Sequence, residues 1–446
     1  MQSDYYQASQ RPSPALRPPG DLTGFGQDWS NELHRWEFIL LQGAVFFAPY
    51  IAFHHPAVYF TLGDALFAGA FLLRLCTGRM APLFADLTWL WLLALLMLTG
   101  GLFIGSVVNG DMVRCVTLVS QYCFAYLIVP MVLLRRSEAE VIRLIKCGIW
   151  GMTAMCGIGA LIYMSGYTSL SNDQMTLVTG GRRLAGFVDN PNAMAVLTVM
   201  TLPLVWFLLL SRQMKPVTGL LCTGMLVTGI ILTSSNTGIY TLAAATLIFL
   251  GGRQHFKTLI LVACLAGAVM VFGQDYLPQT FQHRVLSAMN SGDLAGAGTF
   301  EYRQQLNIEA LNFADDHLII GMGADQYRFN SQYGLPVHNT YLLMLNEGGA
   351  LSLLGYLLVL SVPVIAGAVA RQLPHGRLVL LTTVTIVLVF ANATLGVPHV
   401  YGRAWFLSIF LAVSPALIWY GPTRRVPAST PMTRRPVRGA APPSRA

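Results

Sequence analysis

The reactive side chains of this sequence gather around one histidine and a handful of arginines. His338 stands in Leu335-Pro-Val-His-Asn-Thr-Tyr-Leu342, where a polar stretch gives way to a long apolar run. An imidazole there can exchange a proton near neutral pH and act as a general base. The same residue can equally be the hydrogen-bonded start of a helix, with Asn339 or Thr340 as its cap. Tyr341 and Glu347 follow into the apolar run. A carboxylate inside such a run is a functional candidate, and its plainer role is to meet a backbone group or an arginine and fix helix packing. Arg182, Arg183, Arg284, Arg303 and Arg328 lie in two long polar segments, and Arg403 opens the last apolar run. Guanidinium groups bind phosphate oxygens through two parallel hydrogen bonds and keep their charge. Singly, each can instead cap a helix or reach a lipid headgroup. No Asp-x-Asp, His-Glu-x-x-His or carboxylate cluster occurs in these segments, and the adjacent Asp315 and Asp316 would not face each other on a helix. Neither a metal site nor a bound cofactor is expected.

The elements that must hold these residues are membrane helices. Only 11% of the chain is charged and its mean hydropathy is +0.56, which excludes a soluble protein of this size. Apolar runs recur from Trp36 to Tyr420, each long enough to cross a hydrocarbon core roughly 30 Å thick. The expected fold is an all-α integral membrane protein with about twelve transmembrane helices. A cytoplasmic tail over 1–35 precedes nine spans over 36–273, which include an external loop at 166–192. A second external segment over 274–339 repeats apolar residues at helical spacing (Leu306, Ala310, Phe313) and is expected to form a helical cap. Three more spans over 340–420 lead to a basic tail at 421–446, a solvated end suited to anionic lipid. The division near Thr233–Thr237, between the seventh and eighth spans, is the weakest of the boundaries. All seven cysteines fall in apolar runs, against a disulfide framework or zinc site. The Pro-rich start lacks the pattern of a signal peptide and reads as a disordered tail.

The net charge of +8 is spread between spans, not gathered on a soluble face, so nucleic acid is not an expected partner. Its distribution sets orientation instead. With the amino terminus inside, 21 of the 28 Lys and Arg residues fall on the cytoplasmic side, and both termini are expected there. The seven left outside are Arg114, Arg182, Arg183, Arg284, Arg303, Arg328 and Arg403. Retained against the orientation bias, they invite a reason as a group.

Four motifs in a fixed order supply one. Arg182-Arg-Leu-Ala-Gly-Phe-Val-Asp-Asn-Pro-Asn192 follows the fifth span, Tyr302-Arg303 begins a helix in the long loop, His317-Leu-Ile-Ile-Gly-Met-Gly323 precedes a turn, and Pro336-Val-His-Asn-Thr-Tyr-Leu342 leads into a span. This arrangement, over roughly 177–355, resembles the O-antigen ligase and polymerase family of membrane glycosyltransferases, which take glycans from undecaprenyl diphosphate. One stretch departs from the pattern. Many relatives carry a Ser-Arg pair between the seventh and eighth spans, where this chain reads Thr233-Ser-Ser-Asn-Thr-Gly238, so any phosphate contact made there must come from elsewhere.

The resemblance implies a site at the periplasmic face of a bacterial inner membrane. His338 would deprotonate the acceptor hydroxyl, Arg182, Arg183 and Arg303 would hold the diphosphate, and Asn339, Tyr341, Glu347 and Arg403 would support them. A diphosphate leaving group needs its charge stabilised and no acid to protonate it. Displacement would be direct, inverting and metal-independent. The implied partners are an undecaprenyl-diphosphate-linked glycan donor, a lipid A-core acceptor and membrane lipid. O-antigen polymerase and protein O-oligosaccharyltransferase activities share this scaffold, and the moderate external loop without an attached soluble domain favours the ligase. A transporter of lipid-linked glycan is the reading from another class. Paired repeats and polar groups at mid-membrane would mark it, and here the ionisable residues lie in the external loops.

Overall fold

The computed structural model describes residues 22–52, 60–168, 176–179, 181–188, 190–251, 277–286, 300–396 and 403–418, with scattered positions between 257 and 275. These residues are almost entirely helical. The principal helices are α1 (Leu22–Phe47), α2 (Leu62–Cys76), α3 (Thr88–Asn109), α4 (Met112–Cys123), α5 (Val129–Leu133), α6 (Glu138–Ser165), α7 (Pro191–Leu210), α8 (Pro216–Thr233), α9 (Asn236–Leu250), α10 (Phe300–His317), α11 (Thr340–Val369), α12 (Gly376–Ala393) and α13 (Arg403–Val413). Seven helical stretches among the described residues are long and apolar enough to cross a membrane. That falls short of the twelve expected spans. α2 and α9 have 15 residues each, fewer than the roughly 20 that a perpendicular crossing needs, and most of the expected ninth span, Thr258–Gly273, lies outside the described residues. Of the expected tails over 1–35 and 421–446, residues 1–21 and 421–446 also lie outside the described residues, whereas 22–35 are not irregular but form the first part of α1.

Helix boundaries follow local chemistry. Ser137 and Glu140 form a reciprocal capping box at the start of α6, and Asn190 accepts backbone N–H bonds from Asn192 and Ala193 ahead of Pro191, which opens α7. The division near Thr233 is real: Ser234 adopts a left-handed conformation at the end of α8 and Ser235 caps α9. Between α4 and α5 the chain widens into a π-turn over Phe124–Ile128. Pro130, four residues after Tyr126, has no N–H to offer, and the Trp91 indole donates to the Tyr126 carbonyl instead, at 2.7 Å.

Two features organise the bundle. At the end where α2 finishes and α6 begins, Arg136 pairs with the buried Glu37, His34 bridges Glu37 and Glu140 at 3.1 Å each, and Arg74 donates to the Val132 carbonyl at 2.9 Å. Charges this deeply placed in an apolar bundle persist only when paired. Elsewhere, α3 packs closely on α11 through Gly101 and Gly105. A methyl on Gly101 would sit 2.4 Å from the Gly348 carbonyl oxygen, so small residues four apart are what allow the backbones to approach. Ser352 Oγ donates across the same contact to the Leu98 carbonyl at 2.7 Å.

α11 is broken at Gly349, which has φ +67° and ψ −173°, a conformation that glycine adopts without steric penalty. A break in an apolar helix frees backbone groups that need new partners. The segment 318–324 supplies them. Met322 and Gly323 donate to the carbonyls of Asn346 and Glu347 at 2.8 and 2.9 Å, and Ala350 donates to the Leu318 carbonyl at 2.7 Å. α10 packs against α11 beside this segment. The long loop expected as a cap therefore contributes at least one ordered helix, although 287–299 lie outside the described residues.

Candidate active site

Adjacent arginines at 182 and 183 part company at a tight turn. Val178–Thr179 and Arg183–Leu184 form a two-stranded antiparallel pair that the all-α expectation missed, with Thr179 opposite Arg183. Gly181 and Arg182 take positive φ angles of 72° and 50° in the connection. Arg182 points outward, donates to the Tyr163 carbonyl at 3.1 Å and lies over the Tyr163 ring. Arg183 turns inward: its Nε donates to the Thr233 carbonyl at 3.0 Å and its Nη2 to Asn192 Oδ1 at 2.8 Å. Ser235 Oγ donates to that same Asn192 oxygen at 2.9 Å. The stretch that departs from the family pattern, Thr233-Ser-Ser-Asn, is thus the surface on which Arg183 docks.

Arg183 is not isolated. Burial first, then the positive charges of Arg284 and Arg303, push its guanidinium down to about 10. Arg303 is lowered by burial and then by Arg284. Among the described residues none of these three guanidinium groups has a carboxylate within ion-pair distance. The Nε atoms of Arg284 and Arg303 are buried without an acceptor among those residues. Three clustered cations with spare donors are a binding site for an anion with several oxygens.

The remaining arginines of the seven expected outside behave differently. Arg114 and Arg328 share one carboxylate, Asp325, at 3.2 and 2.8 Å, so unlike the clustered three each of them has an acidic partner. Arg403 opens α13, and its side chain lies outside the described residues.

His338 is half-buried immediately before α11. Asn339 does the capping, its Oδ1 accepting from the Tyr341 and Leu342 N–H groups at 3.0 and 3.3 Å, and Thr340 N–H donates to the Thr394 carbonyl at 2.8 Å. The helix start therefore does not depend on the imidazole as its cap. Arg303 reaches the same neighbourhood, because its Nη1 would lie 3.5 Å from a methyl placed on Gly396, two residues beyond Thr394. The α10 arginine and the histidine junction converge on the turn that follows α12.

Tyr341 and Glu347 have structural partners. The Tyr341 hydroxyl donates to the Ala391 carbonyl at 2.9 Å, and the buried Glu347 carboxylate receives backbone N–H groups of Asp325 and Tyr327. Glu347 thereby anchors the segment packed on the α11 break. Sequence reasoning left Arg284 out of the phosphate set. The signal that could have found it was already present, since Arg284 is one of the seven arginines that the charge distribution assigns to the outer side.

Residues 221–360 match the family model for O-antigen ligase. The match runs from α8 to α11 and so spans Arg284, Arg303, His338 and the Gly349 break. This match supports assignment to the O-antigen ligase family. A search of curated proteins finds no match. Arg182 and Arg183 precede the segment matched to O-antigen ligase, yet Arg183 docks on the Thr233 turn that lies within it.

Proposed function

We propose that this chain is an O-antigen ligase, transferring a glycan from undecaprenyl diphosphate to lipid A-core at the periplasmic face of a bacterial inner membrane. The observation that carries the reading is the cluster of Arg183, Arg284 and Arg303, uncompensated by carboxylates among the described residues and adjoining the His338 junction. The arginines hold the diphosphate and stabilise the charge that grows on it as the sugar departs. Arg182 contributes at the rim of the same turn. His338 takes the proton from the acceptor hydroxyl as its oxygen attacks the anomeric carbon. The C1–O bond to the diphosphate breaks as the new glycosidic bond forms on the opposite face, which inverts the anomeric centre.

The reaction is expected to proceed without a divalent metal. The test is transfer by purified protein in detergent, with a lipid-diphosphate glycan donor, a lipid A-core acceptor and no ion gradient. Product formation supports the reading. Its absence under conditions where the protein binds the donor and stays folded contradicts it.

A further inference from the structure

Arginine and phosphate are chemically one-sided partners, since guanidinium only donates hydrogen bonds and a diphosphate in this setting only accepts them. An unpaired acceptor in the same site therefore needs a different ligand group. Asn307 provides one. It lies one helical turn after Arg303 on α10, and its Oδ1 is buried with no donor among the described residues. Residues four apart on a helix share a face, with Cβ atoms about 5–6 Å apart. The Arg303 Nε is likewise buried and lacks an acceptor there. This face of α10 thus presents an unused donor and, one turn along, an unused acceptor.

Buried polar groups left without partners are uncommon in folded proteins and mark places where a ligand completes the set. A phosphate satisfies Arg303 and cannot satisfy the Asn307 Oδ1. A group carrying O–H or N–H donors, covalently attached to that phosphate, satisfies both. We infer that Asn307 is a specificity-determining contact for the saccharide of the donor, accepting a hydrogen bond from a hydroxyl or amide N–H of the sugar linked to the diphosphate. The inference rests on the diphosphate assignment above and adds recognition of the first sugar to it. The Asn307 carbonyl would then discriminate a glycan-bearing lipid diphosphate from the bare lipid diphosphate that remains after transfer, favouring substrate over product.

The experiment compares binding of two ligands, undecaprenyl diphosphate carrying a single sugar and undecaprenyl diphosphate without one, to wild type, Asn307→Ala and Asn307→Leu in detergent. Loss of one hydrogen bond from a buried site corresponds to about a five- to tenfold drop in affinity. The sugar-bearing lipid should weaken by that factor in both variants, whereas the bare lipid diphosphate should bind all three proteins within twofold. Equal weakening of both ligands, or of neither, overturns the inference and leaves the diphosphate assignment standing. If the wild type binds neither lipid, the diphosphate reading fails and the inference fails with it. Alanine at a half-exposed helical position preserves helix propensity. An Asn307→Ala variant that does not fold would make Asn307 a structural residue and also overturn the inference.

Discussion

Replacing Arg183 by lysine keeps a cationic side chain at the turn and removes the planar fork that the turn is built to receive. Arg183 makes two directed bonds, to the Thr233 carbonyl at 3.0 Å and to Asn192 Oδ1 at 2.8 Å, and a single ammonium cannot reproduce both while facing a phosphate. A lost charge-assisted bond to the diphosphate corresponds to about 1.5–3 kcal/mol, so donor affinity should fall by roughly 10- to 100-fold. The environment adds a second effect. Burial and the neighbouring Arg284 and Arg303 charges push the Arg183 guanidinium down to about 10, which leaves it protonated throughout the physiological range. A lysine starts near about 10.4, and the same surroundings would lower its titration from there. The sign follows from the direction of that shift. Between the lowered folded pKa and the unfolded one, the unfolded chain binds more protons, so stability of the lysine variant rises with pH. Its charge in the folded state is lost over the same interval, so donor binding falls with pH. Titrating donor affinity and melting temperature from pH 6 to 9 should show these opposite slopes in Arg183→Lys and a flat affinity in wild type. Wild-type donor affinity in the variant at every pH would refute both the fork and the field of the arginine cluster.

His338→Gln should lower transfer by about 10²- to 10⁴-fold while donor binding and melting stay near wild type, because Asn339 makes the cap bonds; normal transfer would remove the base from the mechanism. Gly349→Ala should destabilise the protein by at least about 1–3 kcal/mol, read as a lower melting temperature. A side chain there meets both a positive φ and the Ile319 carbonyl oxygen 2.5 Å from its Cβ, so an unchanged melting temperature would mean that α11 is not broken at this residue. Transfer should survive a strong chelator, and loss with rescue by Mg²⁺ or Mn²⁺ would show that the arginines alone do not stabilise the leaving group.

Much of the scaffold was legible because apolar run length and cap residues act locally. Asn190 before Pro191, the Ser137/Glu140 pair and Asn339 all mark helix starts in the structure as their chemistry requires. What escaped depends on contacts between distant segments. Adjacent Arg182 and Arg183 read as equivalent until positive φ values at Gly181 and Arg182 send them apart. Arg284 joins the cluster only because the chain near 280 returns to the hairpin, where the Thr280 hydroxyl donates to the Gly181 carbonyl. For Glu347 the sequence left a functional carboxylate and a packing partner both open, because the backbone amides it meets belong to residues about twenty positions earlier. The Gly348-Gly349 pair was visible in the sequence, but the break it permits is stabilised by the 318–324 segment, whose pairing no periodicity encodes.

A structure of the protein with bound undecaprenyl diphosphate tests the central claim most directly. The account predicts diphosphate oxygens within hydrogen-bonding distance of Arg183, Arg284 and Arg303, with the lipid-linked oxygen turned toward His338. A diphosphate bound instead beside Arg114 and Arg328, which share the Asp325 carboxylate, or lying away from all three clustered arginines, would contradict it.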